Sequence, residues 1–157
     1  MKNNKIFFNS CIILFFLLQL NFNLGMYANK PKDYLVTTFG AVSDGKTQNT
    51  KAIQKAIDLA NKNKGGRVVF SKGKFLSSSI ILKSGVEFFF EEGAVLLGSI
   101  NPDDYPKLEG TKALILAHGS KNISITGKGI IDGQGRELAL AADSLHHTGV
   151  KIDPNYN

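Results

Sequence analysis

Cysteine and arginine are nearly missing from this chain of 157 residues. The only cysteine, Cys11, falls in an apolar N-terminal stretch, so the rest of the chain can form neither disulfides nor thiolate metal sites. Arginine occurs twice, at Arg67 and Arg136, and no block of basic residues is longer than two. Because nucleic-acid-binding proteins cluster their basic residues on one face, we expect no nucleic-acid partner despite the net charge of +6.

The N-terminus combines the features of a secretory signal peptide. Lys2 and Lys5 form a basic start, residues 11–18 are an uninterrupted apolar run, and Ala28 offers a small residue for cleavage. This run is shorter than the ~20 residues that a membrane-spanning helix needs, which disfavours an uncleaved anchor. We therefore expect a secreted or periplasmic protein whose mature chain begins near Asn29, with no stable membrane insertion after cleavage.

One segment, about Thr50 to Lys62, has the pattern of an amphipathic helix. Its apolar side chains recur at helical spacing, and charged side chains occupy the opposite side. Asn49 or Thr50 can cap its start, and Gly65-Gly66 can end it. Before the helix, Tyr34–Phe39 is predicted to be a short strand. The apolar positions of the helix are Ala52, Ile53, Ala56, Ile57 and Ala60.

The sequence after Gly66 changes to short apolar runs separated by glycine, which favour strands. A unit of apolar-x-apolar followed by Gly-x-apolar recurs, beginning at Val68, Val86 and Ile123. The starts are 18 and 37 residues apart, and a polar insertion at about Ser99–Lys112 accounts for the longer interval. Such a repeat predicts a solenoid of stacked coils, with the amphipathic helix covering the first coil.

The stretch from Gly40 to Thr47 satisfies the phosphate-loop pattern G-x-x-x-x-G-K-[ST] between a predicted strand and a predicted helix. A nucleotide site would use the backbone N–H groups, with Lys46 on the phosphates and Thr47 on Mg²⁺. However, Asp44 would place a carboxylate beside the phosphates, and no alternating helices for a parallel α/β sheet follow. We interpret the stretch as a glycine turn and expect no nucleotide partner.

The same region carries a more specific similarity. Phe39–Ile57 closely resembles the N-terminal cap of the pectate-lyase-like superfamily of right-handed β-helices. Later blocks resemble glycoside hydrolase family 28, the polygalacturonases, and the similarity covers about Leu35 to Gly135. These blocks are Gly65-Gly-Arg-Val-Val-Phe70, Leu82-Lys-Ser-Gly-Val86, Glu91-Glu-Gly-Ala-Val-Leu-Leu-Gly-Ser99, Asp103-Asp-Tyr-Pro106 and Asn122-Ile-Ser-Ile-Thr-Gly-Lys-Gly-Ile-Ile-Asp-Gly-Gln-Gly135.

The resemblance implies an all-β fold, a right-handed parallel β-helix with an N-terminal capping α-helix. It also implies an exported hydrolase of acidic pectic polysaccharide that inverts the anomeric centre with aspartates, without a metal or other cofactor. In the family these aspartates lie in Asn-x-Asp and Asp-Asp motifs, followed by His-Gly and Arg-x-Lys, several coils beyond the Ile-Asp-Gly-x-Gly turn. None of these motifs occurs in residues 136–157, which follow that turn here. We therefore expect an N-terminal fragment, truncated after the first coils, with no catalytic residues and no activity of its own.

This interpretation divides the chain into four parts. Residues 1–28 are the signal peptide, 29–66 the N-terminal strand and capping helix, 67–135 the first coils, and 136–157 a loop leading into missing catalytic coils. Two alternatives stay open: a non-catalytic β-helix, such as an adhesin or polysaccharide-binding module, and a pectate or pectin lyase of the same fold. Fold alone does not separate these functions.

Three residues after Gly135 are candidates for substrate binding. Arg136, His146 and His147 lie in the stretch predicted to be a loop, and arginine can clasp a uronate carboxylate with two hydrogen bonds. The histidine pair lacks a third ligand, so we predict no metal site.

The remaining acidic candidates have the surroundings of turn residues. Asp103-Asp104 lies in a proline-bounded turn, and Asp132 lies in a glycine-flanked corner. Aspartate is favoured in both places because its carboxylate bonds nearby backbone amides. We interpret none of the three as a catalytic acid.

Overall fold

Ten short strands form three sheets in the computed structural model, which describes residues 30–108 and 110–150. The predicted signal peptide and its cleavage site near Ala28 lie outside these residues. The described helices are α1 (Thr50–Lys62), α2 (Gly135–His147) and two 3₁₀ helices, Val36–Phe39 and Pro102–Asp104. The strands are β1 (Asp33–Leu35), β2 (Asp44–Gln48), β3 (Gly66–Phe70), β4 (Gly73–Ser77), β5 (Ile80–Ile81), β6 (Val86–Phe90), β7 (Ala94–Gly98), β8 (Ile115–Leu116), β9 (Ser124–Gly127) and β10 (Ile130–Asp132).

Strands that follow one another in sequence belong to different sheets, which is the arrangement of a parallel β-helix. Sheet A has the order β1-β3-β6-β9, sheet B has the order β2-β4-β7-β10, and sheet C pairs β5 with β8. All of these pairs are parallel. The predicted solenoid is therefore confirmed.

The register corrects one detail of the predicted repeat. Val86 aligns with Gly66, and Val68 aligns with Phe88, so the predicted equivalence of Val68 and Val86 is wrong by two residues. Side chains alternate along a strand with a period of two, and a two-residue shift therefore leaves the same residues on the inner face. The hydrophobic pattern cannot distinguish these two registers.

Phenylalanine rings fill the interior of the first coils. Phe70, Phe75 and Phe88 are fully buried, and Phe90 nearly so. The Phe70 ring stacks on Phe90 at a centroid distance of 4.5 Å, and meets the rings of Phe75 and Phe88 edge to face at 5.7 and 5.2 Å. These contacts join three strands, β3, β4 and β6, into one core.

Helix α1 covers the N-terminal end of this core, with the predicted bounds. Four of its apolar side chains are fully buried: Ile53, Ala56, Ile57 and Ala60. The expected side-chain cap is wrong, because Asn49 turns away from the helix and bonds the backbone of Val42 and Thr47 instead. The buried Asn49 side chain thereby holds the turn before β2 against the helix start.

The turn after α1 contains Gly65 and Gly66, as predicted, although its first residue with a positive φ is Lys64, at +68°. The Gly65 N–H donates to the Ala60 carbonyl at 2.9 Å, and Gly65 has a φ of +121° that other residues rarely adopt. A Cβ atom at Gly65 would lie 2.6 Å from the carbonyl oxygen of Gly85, in the next coil. The two backbones can approach this closely only without side chains.

Two segments differ from their predicted structure. The strand predicted over Tyr34–Phe39 is limited to Asp33–Leu35, and Val36–Phe39 forms a 3₁₀ helix that buries Val36. The predicted loop after Gly135 is wrong as far as His147, because α2 occupies that stretch. Its interior is rich in leucine and alanine, which have high helix propensity.

The coil formed by β8, β9 and β10 exposes side chains that point inward. Ile125 aligns with the buried Phe88 and Ile131 with the buried Leu96, yet they are 48% and 41% exposed. Within residues 30–108 and 110–150, no further strand pairs with the outer edges of these three strands. This coil therefore presents an uncovered apolar end, which we call the open end.

Candidate functional site

The connections from sheet B to sheet C differ greatly in length between coils. In the first coil only Ser78 and Ser79 separate β4 from β5, whereas residues 99–114 separate β7 from β8. Helix α2 leaves sheet B at the same corner one coil later, since Asp132 of β10 aligns with Leu97 of β7. Long insertions on one side of a solenoid often form its binding face. The surface of sheet C beside these insertions is therefore the candidate site.

A cavity of about 330 Å³ lies on this surface. Sheet C and the residues after it contribute Ile81, Leu116, Ala117 and His118, and the insertion contributes Leu108 and Thr111. Leu108 and Thr111 exchange backbone hydrogen bonds of 2.9 and 2.8 Å, which hold the insertion in a tight turn over the sheet. An apolar wall with one imidazole can accept the apolar face of a sugar ring and bond one of its polar groups.

A second cavity, of about 420 Å³, lies between the start of α1 and the same insertion. We call it the polar cavity because its described lining residues all have polar side chains: Gln48, Thr50, Lys51, Ser78 and Asp104. The Asp104 carboxylate accepts hydrogen bonds from Ser99 and, at 3.3 Å, from the Asn101 amide.

Asp104 lies in the predicted turn, but the partners of its carboxylate are the side chains of Ser99, Asn101 and Gln48 rather than the expected backbone amides. Pro102–Asp104 is one 3₁₀ turn, and the Asn101 side chain accepts from the Asp103 N–H at 3.1 Å. The neighbouring Tyr105 hydroxyl donates to the Ser99 carbonyl at 2.8 Å. Burial and the Asp104 charge raise the pKa of Tyr105, which stays a neutral hydrogen-bond donor.

Asp132 also has the role of a corner residue. Its carboxylate accepts the Gln134 N–H at 2.9 Å, and the Gln134 side chain donates to the Gly98 carbonyl of the coil below. Gln134 has a φ of +47°, and these two bonds hold it in that conformation. The corner thereby fixes the point at which α2 begins.

The three predicted binding residues do not form one site. Arg136 is in the first turn of α2, and His146 and His147 are in its last turn, about 15 Å away at 1.5 Å per residue. The His147 ring lies 3.4 Å from the Asp143 carboxylate, and the two imidazole rings are 6.0 Å apart. In the described ranges, no three His, Cys, Asp or Glu side chains are grouped so that they can hold a metal ion.

The residues that line the apolar cavity were not predicted as site residues. Ile81 and Leu116 are adjacent in space because β5 pairs with β8, although 35 positions separate them in the sequence. Strands of two residues are too short to show a period in the sequence. The signal that points to this surface is the unequal length of the connections from sheet B to sheet C, two residues in one coil and sixteen in the next.

In the stretch that matches the phosphate-loop pattern, the Asp44 carboxylate accepts the hydrogen bonds that a phosphate would otherwise accept. Asp44 Oδ1 accepts the N–H groups of Lys46 and Thr47, both at 2.8 Å, and Asp44 Oδ2 accepts the Thr47 hydroxyl at 2.8 Å. These are the donors that a bound phosphate would need. The three bonds lower the pKa of Asp44 to about 2.

The Asp44 turn predicts an acid-dependent loss of stability. Because its pKa in the folded protein is about 2 against an ordinary 3.8, its stabilising effect is complete above about pH 4 and is lost as the pH falls toward 2. We expect the urea midpoint of Asp44→Ala to lie below that of the unmodified protein at pH 6, and the two midpoints to converge near pH 2. A constant difference between pH 6 and pH 2 would contradict the hydrogen-bonded carboxylate.

Neither cavity contains the pair of carboxylates that inverting hydrolysis needs. That chemistry uses two carboxyl groups about 6.5–9.5 Å apart on opposite sides of the scissile bond. Among the described lining residues, the apolar cavity has no carboxylate and the polar cavity has only Asp104.

Among residues 30–108 and 110–150, no helix is long and apolar enough to cross a bilayer.

Comparisons with known proteins connect this geometry to one group of proteins. A family described as rhamnogalacturonase A/epimerase, pectate lyase-like, matches residues 35–136. The exo-poly-alpha-D-galacturonosidase of Dickeya chrysanthemi is 40% identical over an alignment of 136 residues, and the match covers 75% of this chain and 22% of that protein. The structure of the family 28 exopolygalacturonase of Yersinia enterocolitica superposes with a TM-score of 0.60 at 42% identity, over 66% of this chain and 21% of the other.

A protein of another kind is also similar. The plasmin and fibronectin-binding protein A of Streptococcus pneumoniae is 35% identical over an alignment of 109 residues, and the match covers 64% of this chain and 15% of that protein. The chain thus spans about a fifth of the length of the curated polygalacturonases that it matches, and less of the plasmin and fibronectin-binding protein A.

Proposed function

Since the chain belongs to the pectate-lyase-like rhamnogalacturonase A/epimerase family, and resembles its polygalacturonases in a right-handed parallel β-helix, we propose that it is the N-terminal part of a pectin-degrading glycoside hydrolase. The full enzyme would hydrolyse galacturonide linkages with inversion. The observation that carries this proposal is the 40% identity to an exo-poly-alpha-D-galacturonosidase, which extends over three quarters of the chain.

In this proposal the described coils build one end of the binding surface. The apolar cavity on sheet C would take a sugar ring, and the insertion 99–114 would form its wall. Arg136, exposed at the start of α2, would contact a uronate carboxylate. The acid and base would lie in later coils, because the relatives are about five times longer than the part that matches.

An adhesin or polysaccharide-binding module is the second candidate. The similarity to the plasmin and fibronectin-binding protein A favours it, because that protein matches 64% of this chain at 35% identity. The sequence that continues these coils separates the two functions. A hydrolase would carry Asn-x-Asp, Asp-Asp, His-Gly and Arg-x-Lys in that order, and a binding module would not.

We further propose that the protein acts outside the cytoplasm. Residues 1–28 carry the basic start, apolar run and small final residue of a signal peptide. N-terminal sequencing of the exported protein should begin at or near Asn29.

The function is tested by comparing two forms of the chain on polygalacturonate. We expect the 157-residue form to release no reducing ends above a blank, because the described residues supply no pair of opposed carboxylates. A form extended through the later coils is expected to cleave the polymer with inversion, which NMR detects in the first product. Product release by the 157-residue form, or an extended form that binds without cleaving, would contradict the proposal.

Arg136 offers a sharper test within the extended form. Arg136→Gln should raise KM for polygalacturonate about tenfold and leave kcat nearly unchanged, because it removes binding rather than chemistry. Lys128→Gln is the matched control, since Lys128 is exposed and makes only a 3.7 Å contact with Glu92. Equal effects of the two substitutions would show that only the net charge matters.

A further inference from the structure

The outer side of α1 carries a row of lysines. Lys51, Lys55 and Lys62 are exposed and lie within about 40° of one another around the helix axis, at 100° per residue. Along the axis they are spaced by about 6 and 10 Å. We call these three residues the lysine row. It lies on the opposite side of the helix from the buried Ile53 and Ile57.

The one acidic residue of α1, Asp58, lies on the same side of the helix, three residues after Lys55 and four before Lys62, but its charge is paired with a lysine from outside the helix. Asp58 forms an ion pair with Lys83, outside the helix, at 2.7 Å, and accepts a hydrogen bond from Gln54 at 3.0 Å. Partial burial opposes ionisation, but the bonds from Lys83 and Gln54 outweigh it and lower the pKa of Asp58. No described carboxylate forms an ion pair with a member of the row.

The first turn of α1 contradicts the electrostatic preferences of a helix. The positive end of the helix dipole favours acidic residues there, yet the turn contains none and carries Lys51. Lys51 and Lys55 are also a like-charge pair at i,i+4, which destabilises a helix. Departures from local preference that bring no structural gain occur mainly at functional sites.

We propose that the lysine row binds acidic polysaccharide of the polygalacturonate type, at a contact separate from the surface of sheet C; the choice of this polymer rests on the proposed function. A polyuronate presents many carboxylates along one chain, and ammonium groups on flexible stems can follow them without a fixed geometry. An anionic membrane fits less well. Helices that lie on membranes insert an apolar face, whereas the apolar face of α1 is packed on the core.

The decisive variant is Lys51→Glu in the full 157-residue chain. It places an acid in the first turn and creates a favourable Glu–Lys pair with Lys55, so Tm should rise by about 2–4 °C. The same change should weaken binding to polygalacturonate about tenfold at low salt, measured by calorimetry. Opposite signs for stability and binding distinguish a functional lysine from a structural one.

Two further variants make the test specific. Lys55→Gln with Lys62→Gln should also weaken binding about tenfold, without the gain in Tm. Lys128→Glu changes the net charge as much as Lys51→Glu, and should alter binding less than twofold. Fully methyl-esterified pectin, which lacks the charges, should not bind.

Several outcomes would overturn the inference. They are equal losses of binding for Lys51→Glu and Lys128→Glu, undiminished binding of the esterified polymer, or tighter binding of the row to anionic phospholipid vesicles than to polygalacturonate. Because the readout is binding, failure here combined with cleavage by the extended form would leave the proposed function intact. Binding through the lysine row without any cleavage by the extended form would support this inference and contradict the proposed function.

Discussion

Phe70→Ala is expected to lower the free energy of unfolding by about 4 kcal/mol, because it empties the centre of the aromatic core. The Phe70 ring is fully buried and contacts the rings of Phe75, Phe88 and Phe90. These neighbours belong to different strands of two sheets, and the backbone hydrogen bonds of the sheets prevent them from closing the cavity. Urea denaturation at neutral pH measures the loss.

Phe89→Ala is the matched control for Phe70→Ala. Phe89 belongs to the same aromatic cluster in sequence, but it points outward, is half-buried, and lies under the Arg67 guanidinium at 4.4 Å. We expect a loss of only about 1 kcal/mol, from the cation–π contact and partial burial. Comparable losses for the two substitutions would contradict the assignment of Phe70 to the centre of the core.

Gly65→Ala is expected to cost about 4 kcal/mol, from two independent causes. A φ of +121° is strained for alanine, at about 1–3 kcal/mol, and overpacking adds a similar amount. The added Cβ would meet the Gly85 carbonyl oxygen at 2.6 Å, and neither backbone can move without breaking the link between α1 and the first coil. The melting temperature and the helical circular dichroism signal should fall together.

Gly40→Ala separates the two causes. Gly40 has a φ of +95°, but a Cβ atom there would meet nothing within 4 Å. Only the conformational cost remains, so we expect a loss of about 1–2 kcal/mol. If Gly40→Ala were as damaging as Gly65→Ala, the close approach of Gly65 and Gly85 would contribute nothing.

The fold was largely predictable because its pattern repeats. Apolar side chains at helical spacing predicted the bounds of α1 at Thr50 and Lys62. The recurring units at Val68, Val86 and Ile123 indicated stacked coils. The 3₁₀ turn at Val36–Phe39 was not predictable, because its apolar residues also fit a strand and the choice depends on packing against α1. Helix α2 was missed because its polar ends obscured a helix-favouring centre.

The candidate site was less predictable than the fold. Its lining residues become neighbours only through the pairing of β5 with β8, and neither strand is long enough to have a recognisable period. The acidic candidates were easier to interpret. Asp132 accepts a backbone N–H as turn chemistry predicts for aspartate, whereas Asp104 lies in the predicted turn but bonds neighbouring side chains.

The open end suits a fold whose coils form one after another, from the N-terminus onward. Coil partners such as Phe88 and Ile125 are 37 positions apart, and each coil contacts only its neighbours. A ribosome adds about 5–20 residues per second, so β6 waits about 2–7 s for β9, and β3 waits about 1–4 s for β6, because Val68 and Phe88 are only 20 positions apart. During that time the unpaired edge of the finished coil is available as a template for the next strand. Growth would then start at α1 and proceed coil by coil, and a defect in the first coil, such as Phe70→Ala, would deprive every later coil of its template.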